Sequence, residues 1–193
     1  MDTVISAILD PAHVVDRRGV VLTGMGGAGK SLMASAIVRD NALRRHFGDG
    51  ILWLGDKPGP FSNQWLLCQL KTLAMRFRDL VLTRYHLEAR VPQQDWNDFK
   101  DVSDAEGYFA MWRRCLGLRC LLVVDNVRHS ELLAAVDMMG FGVFATTRDE
   151  ETIPRNKRWL SIPVDPMGDD ESVHILNHCS KASAHVPREP ALQ

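Results

Sequence analysis

Gly24-Met25-Gly26-Gly27-Ala28-Gly29-Lys30-Ser31 is the stretch whose reading decides the fold. Its spacing, Gly-x-x-x-x-Gly-Lys-Ser, is that of a loop whose backbone N–H groups point inward around a phosphate chain. Glycines supply the dihedrals and the close approach that such a loop needs. Just upstream, Gly19-Val20-Val21-Leu22-Thr23 reads as a buried strand. Just downstream, Lys30 to Asp40 reads as a helix with Leu32, Met33, Ala36 and Ile37 on its apolar side, and Leu43 and Phe47 continue the spacing. The helix N-terminus adds its positive end to the phosphate site. In this setting Lys30 is expected to reach the β and γ phosphates and Ser31 to place its hydroxyl on Mg²⁺. The expected nucleotide contacts run from Gly24 through Met25, Gly26, Gly27, Ala28, Gly29, Lys30 and Ser31 to Leu32. The loop reads phosphates only, so it leaves adenine and guanine equally open.

Outward from this loop, short apolar runs alternate with helical spacing, which argues for an α/β fold on a largely parallel sheet. Asp2 to Leu9 reads as a leading helix ended by Asp10-Pro11. Ile51 to Leu54 is a second strand, and Lys57-Pro58-Gly59-Pro60 breaks the chain after it. Leu66, Leu70, Leu73, Phe77 and Leu80 then share one helix face. Arg84 to Val102 is polar and reads as a surface loop with some helical turns. Ser103-Asp104-Ala105-Glu106 reads as a capping box opening a helix with Tyr108, Phe109, Trp112, Cys115 and Leu116 inward, and Gly117 suits its end. Cys120 to Asp125 is a third strand; Ser130 caps a helix that Gly140 ends; Val143 to Thr147 and Leu160 to Val164 are the fourth and fifth strands. A last helix is expected over 169–180, and 181–193 reads as a tail.

Two further features carry chemistry. A strand as apolar as Cys120-Leu121-Leu122-Val123-Val124 ends in Asp125-Asn126. At the sheet's C-terminal edge, Asp125 is placed to hold Mg²⁺ with Ser31. Many nucleotide hydrolases carry a second acid where this chain has Asn126. An amide positions water but does not take its proton as a carboxylate does, so slow or negligible turnover is expected. Thr146-Thr147-Arg148 ends the fourth strand. If that strand lies between the first and third, Thr147 or Arg148 faces the γ phosphate, which a guanidinium suits in shape and charge.

Composition narrows the class. The 193 residues are 46% hydrophobic with a formal net charge of −1, so no overall field draws the chain to nucleic acid or anionic membrane. Arg17-Arg18, Arg44-Arg45 and Arg113-Arg114 read as solvated surface. The N-terminus lacks the basic start of a secretory signal, and no run reaches the roughly 20 apolar residues of a membrane helix. Cys68, Cys115, Cys120 and Cys179 form no CxxC pair and read as reduced core residues of a cytoplasmic protein. His174 and His178 share a helix face, but no third zinc ligand accompanies them.

The phosphate loop, Leu121-Leu122-Val123-Val124-Asp125-Asn126-Val127 and Ala145-Thr146-Thr147-Arg148-Asp149, in this order, resemble the NB-ARC module of the STAND class of signalling NTPases found in apoptotic and plant immune receptors. Phe47-Gly48-Asp49-Gly50-Ile51-Leu52-Trp53-Leu54 looks like that family's second strand. The resemblance spans about residues 3 to 180. It implies a three-layer fold with sheet order 2-3-4-1-5, a nucleotide-binding domain over 1–180, and adenine as the base. It also implies a switch between an ADP-bound closed form and an ATP-bound form able to oligomerise. Partners implied are self-association or flanking receptor domains of a longer protein, in defence or other signalling. This chain departs from the pattern in Asn126. It also lacks a recognisable Gly-Arg-Glu segment for the adenine, near Val14 and Val15, and the Gly-Leu-Pro-Leu and winged-helix parts that lock ADP. Weak, rapidly exchanging binding follows, micromolar or worse, about −8 kcal/mol at best. Two other readings stand beside this one. A small-molecule or nucleotide kinase needs a lid carrying arginines, for which Arg84 and Arg90 are available. A decayed interaction module keeps the fold and binds nothing.

Overall fold

A computed structural model describes residues 1–10, 19–56, 59–85, 96–156, 158–166 and 168. In chain order the elements are α1 (Asp2–Leu9), β1 (Gly19–Thr23), α2 (Lys30–Ile37), α3 (Asn41–His46), β2 (Gly50–Gly55), α4 (Asn63–Tyr85), a 3-10 turn (Trp96–Asp98), α5 (Val102–Leu116), β3 (Cys120–Val127), α6 (Ser130–Met138), β4 (Gly142–Thr147), a second 3-10 turn (Glu150–Thr152) and β5 (Trp159–Pro163). The five strands form one sheet in the order β2-β3-β4-β1-β5. Every pairing is parallel, so the strands share one C-terminal edge. β1 lies directly beside β4, which places the glycine loop and Arg148 at neighbouring strand ends.

Sheet and helices form three layers. Val21, Leu122, Val124, Val143 and Ala145 face the core under α4, α5 and α6. Val20, Leu22, Leu121, Val123 and Phe144 face the core under α1, α2 and α3. The strands are apolar at successive positions because each face is covered, yet their side chains still alternate between the two cores. Phe77, Phe109, Trp112 and Phe141 pack edge-to-face and tilted in the first core, with ring centroids 5.4–6.2 Å apart.

Several local expectations need correction. The helix after the loop stops at Ile37, and Asp40 starts a separate α3 by accepting from the Ala42 and Leu43 N–H groups. A strong N-cap there outweighs the continuing i,i+4 apolar pattern. α5 is opened by Asp101, not Ser103: the Asp104 N–H donates to Asp101, and the Asp104 carboxylate accepts from the Asp101 N–H. The reciprocal pair is the same device two residues earlier, and it adds Val102 and Ser103 to the helix. α6 takes His129 as its N-cap, with Ser130 inside the first turn. Cys120 is buried as expected, whereas Cys68 and Cys115 are exposed free thiols rather than core residues. α4 includes Arg84, so the expected loop begins later. Its middle, with Arg90, lies outside the described residues, as do Val14, Val15, the helix over 169–180 with His174, His178 and Cys179, and the tail 181–193.

Candidate nucleotide site

β1, buried along its whole length, delivers the chain to Gly24 at the sheet's C-terminal edge. Gly24 has φ +145°, and a Cβ there would lie 2.4 Å from the Val164 carbonyl oxygen. Conformation and contact both demand glycine. Gly27 and Gly29 take φ of +87° and +83°, and Gly29 is the N-cap of α2. A Cβ on Gly26 would meet the Arg148 guanidinium at 3.1 Å, so Arg148 lies across the loop. Ala28 is buried under the loop, while Met25 and Leu32 project into solvent.

Lys30 is 7% exposed, and its Nζ donates to the Gly24 and Met25 carbonyl oxygens at 2.6 and 2.7 Å. Burial lowers its pKa from the ordinary lysine value, the nearby Arg148 charge lowers it further, and Asp125 pulls it back up. The loop thus closes around a cation that a dianionic group at its mouth would complement.

Asp125 is the hub. Its Oδ1 accepts from Ser31 Oγ at 2.7 Å and from Thr146 Oγ1 at 2.6 Å. Thr146 Oγ1 in turn accepts from the Asn126 N–H at 2.8 Å. The β3–β4 register shifts between Val124 and Val127, and Asn126 has φ +57°. Asparagine tolerates the left-handed region better than most residues, so it suits this bulge. A bulge re-aims side chains at a strand end; here it leaves Asp125 joined to Ser31 across 94 residues of sequence. Ser31 and Asp125 therefore offer two oxygen donors side by side at the mouth of the loop. That is the donor set Mg²⁺ takes from protein when phosphates and water complete its shell.

The arginine strand divides its roles differently from expectation. Thr147 is fully buried: its hydroxyl donates to the Val127 carbonyl oxygen at 2.9 Å and lies 3.0 Å from Thr152 Oγ1. It ties β4 to β3 and to the turn after β4 and does not face the loop. Arg148 faces it, and Thr146, not singled out from sequence, holds Asp125.

A second feature unforeseen from sequence stands beside the site. Asp56 follows β2, its side chain is fully buried, and its N–H donates to the Asp125 carbonyl oxygen at 3.0 Å. Its carboxylate accepts from the Arg128 N–H at 2.7 Å, the His129 N–H at 3.2 Å and His129 Nδ1 at 3.0 Å. His129 Nε2 lies 3.0 Å from the Gly59 carbonyl oxygen, and Phe61 packs near the ring. Asp56 thereby fastens the segment after Asp125 to the end of β2. The signal available was an acid directly after an apolar strand and a histidine at a helix start.

A model of the NB-ARC domain matches residues 2–184. Apoptotic protease-activating factor 1 of Danio rerio is 30% identical over 131 residues, covering 67% of this chain and 9% of that protein. A signal transduction ATPase with numerous domains (STAND) and a tetratricopeptide repeat sensor, from Pyrococcus horikoshii, has a solved structure that superposes with a TM-score of 0.54. It is 13% identical, and the match covers 94% of this chain and 25% of that one, a likeness of fold. The chain thus spans a small part of the length of either protein.

Proposed function

The chain belongs to the NB-ARC family, and from that premise we propose that it is an ADP- and ATP-binding switch module of a signalling NTPase. In this proposal residues 1–180 are the nucleotide-binding domain. The observation that supports this reading best is the meeting of three features at one sheet edge. The glycine loop is closed on Lys30, Ser31 and Asp125 are joined at 2.7 Å, and Arg148 lies over Gly26.

In this reading the loop from Gly24 to Leu32 wraps the phosphates. Lys30 leaves the two loop carbonyls for phosphate oxygens. Ser31 and Asp125 would hold Mg²⁺, which would supply charge neutralisation at the phosphates. Arg148 supplies a second permanent cation over the terminal phosphate, so its contact differs between ADP and ATP. Thr146 keeps Asp125 turned toward Ser31. Adenine follows from the family, as do self-association or docking to flanking receptor domains, and a cytoplasmic setting for a signalling role such as defence. Among the described residues no helix is long and apolar enough to cross a membrane.

Turnover is slow because Asn126 is an amide held in a bulge and takes no proton from water. Steady-state phosphate release from ATP is expected to match that of a Lys30→Ala control. A rate well above the control overturns the assignment of Asn126. Thr146→Val removes the hydroxyl that Asp125 and the Asn126 N–H share. It is expected to cost about 1–2 kcal/mol of stability by urea denaturation. It also lowers affinity for MgADP but not for ADP in EDTA, whereas Thr146→Ser restores both.

A further inference from the structure

The sheet has a second edge with a cavity. At the starts of β1, β3 and β4, opposite the glycine loop, lies a cleft of about 650 Å³. Ile8, Phe47, Leu118, Phe141 and Val143 contribute its apolar lining. Its size is that of small-molecule sites. Gly19, Gly117, Gly140 and Gly142 also line it, and Trp159, Arg113 and Phe47 pack against the backbone of Gly19, Gly140 and Gly142.

The permanent charges on the lining are the guanidinium groups of three arginines. Arg113, Arg114, Arg119 and His46 border the cleft, and no acidic side chain does so among the described residues. The three arginines are exposed, and no ion pair joins them to a described acid. Arg113 Nη1 sits 2.9 Å from where a Gly140 Cβ would be, and Arg119 Nη2 lies 3.7 Å from the corresponding point at Gly48. Both residues line the cleft, Arg113 from the last turn of α5 and Arg119 from the residue before β3. Asp49 is buried, and its carboxylate accepts from the Arg119 N–H at 2.6 Å. Arg113 and Arg114 also suit the C-terminal dipole of α5. That accounts for their place in the last turn, but not for Arg119, His46 or the apolar hollow between them.

We propose that this cleft is a second ligand site, taking a free small amphipathic anion, an acyl or aryl carboxylate. Its apolar part lies against Phe47, Phe141 and Val143, and its carboxylate sits between Arg113, Arg114 and Arg119. Guanidinium groups bind carboxylates through paired, charge-assisted hydrogen bonds. A concave apolar hollow selects one chain rather than a flat membrane surface. The site is independent of the nucleotide reading, because it stands at the other end of the strands.

Calorimetric titration of decanoate into the MgADP-saturated chain tests this. Saturable binding at one site is expected. Decanol, which has no charge, is expected to bind about tenfold weaker or worse. Arg113→Gln combined with Arg119→Gln is expected to lower decanoate affinity by a similar factor, about tenfold, with MgADP affinity unchanged. Absence of saturable heat at millimolar decanoate overturns the proposal, as does equal binding of decanoate and decanol. Mutually exclusive binding of decanoate and MgADP when the titration is repeated on the nucleotide-free chain overturns it too, since the cleft is then a nucleotide site. A chain that sediments as a dimer, excludes decanoate and becomes monomeric in the double variant shows a second copy as the occupant. If the double variant does not fold, the decanoate–decanol comparison on the unaltered chain still decides.

Discussion

Replacing Lys30 with alanine is expected to weaken MgADP binding at least about tenfold, since a charge-assisted hydrogen bond contributes roughly 1.5–3 kcal/mol. In the free chain the ammonium group donates to the Gly24 and Met25 carbonyl oxygens, both within its own loop. Phosphate oxygens replace those neutral acceptors with anionic ones. Burial and the Arg148 charge hold the Lys30 pKa below its ordinary value, and bound phosphate raises it again. Binding therefore takes up protons in the alkaline range, and MgADP affinity falls as pH rises through the lowered pKa. For folding the sign is the reverse of a favourable pairing. Between the lowered pKa and the ordinary lysine value, the unfolded chain binds more protons than the folded one. Stability from this group thus rises with pH across that window. Lys30→Met keeps the stem and removes the charge. It is expected to hold or raise the melting temperature while losing nucleotide, which separates lost binding from lost fold.

Asp56→Ala is expected to carry the largest stability cost outside the apolar core, about 3–4 kcal/mol. The carboxylate is fully buried and satisfies two backbone N–H groups and one imidazole nitrogen. Removing it leaves those donors buried without their acceptor. The same residue sits next to Asp125 through its own N–H, so the variant also frees the segment after β3. Urea denaturation measures the loss. A cost below about 1 kcal/mol, the value of an ordinary exposed pair, contradicts the account of Asp56 as a buried clamp.

What was legible in the sequence was what local patterns determine. The glycine loop lies between a strand and a helix as its spacing requires, and β1 and β3 are the buried runs that their residues describe. The sheet order came from family resemblance, because apolar periodicity does not say which strands are neighbours. Local competition misled at two points. Asp40 and Asp101 each start a helix where apolar spacing or a neighbouring Ser suggested another boundary. Long-range register hid the rest. Which threonine of Thr146-Thr147 meets Asp125 depends on a bulge at Asn126, 20 residues away along the chain. The Asp56–His129 contact joins residues 73 apart through two strand ends. Neither leaves a local signature beyond a polar residue after an apolar strand.

The central claim is that this loop holds a nucleotide, and titration of MgADP into the isolated chain followed by calorimetry tests it most directly. The account expects saturable one-site binding, micromolar or weaker, with an affinity no better than about −8 kcal/mol. No saturable heat at any accessible concentration, or binding that Lys30→Ala leaves unchanged, contradicts it.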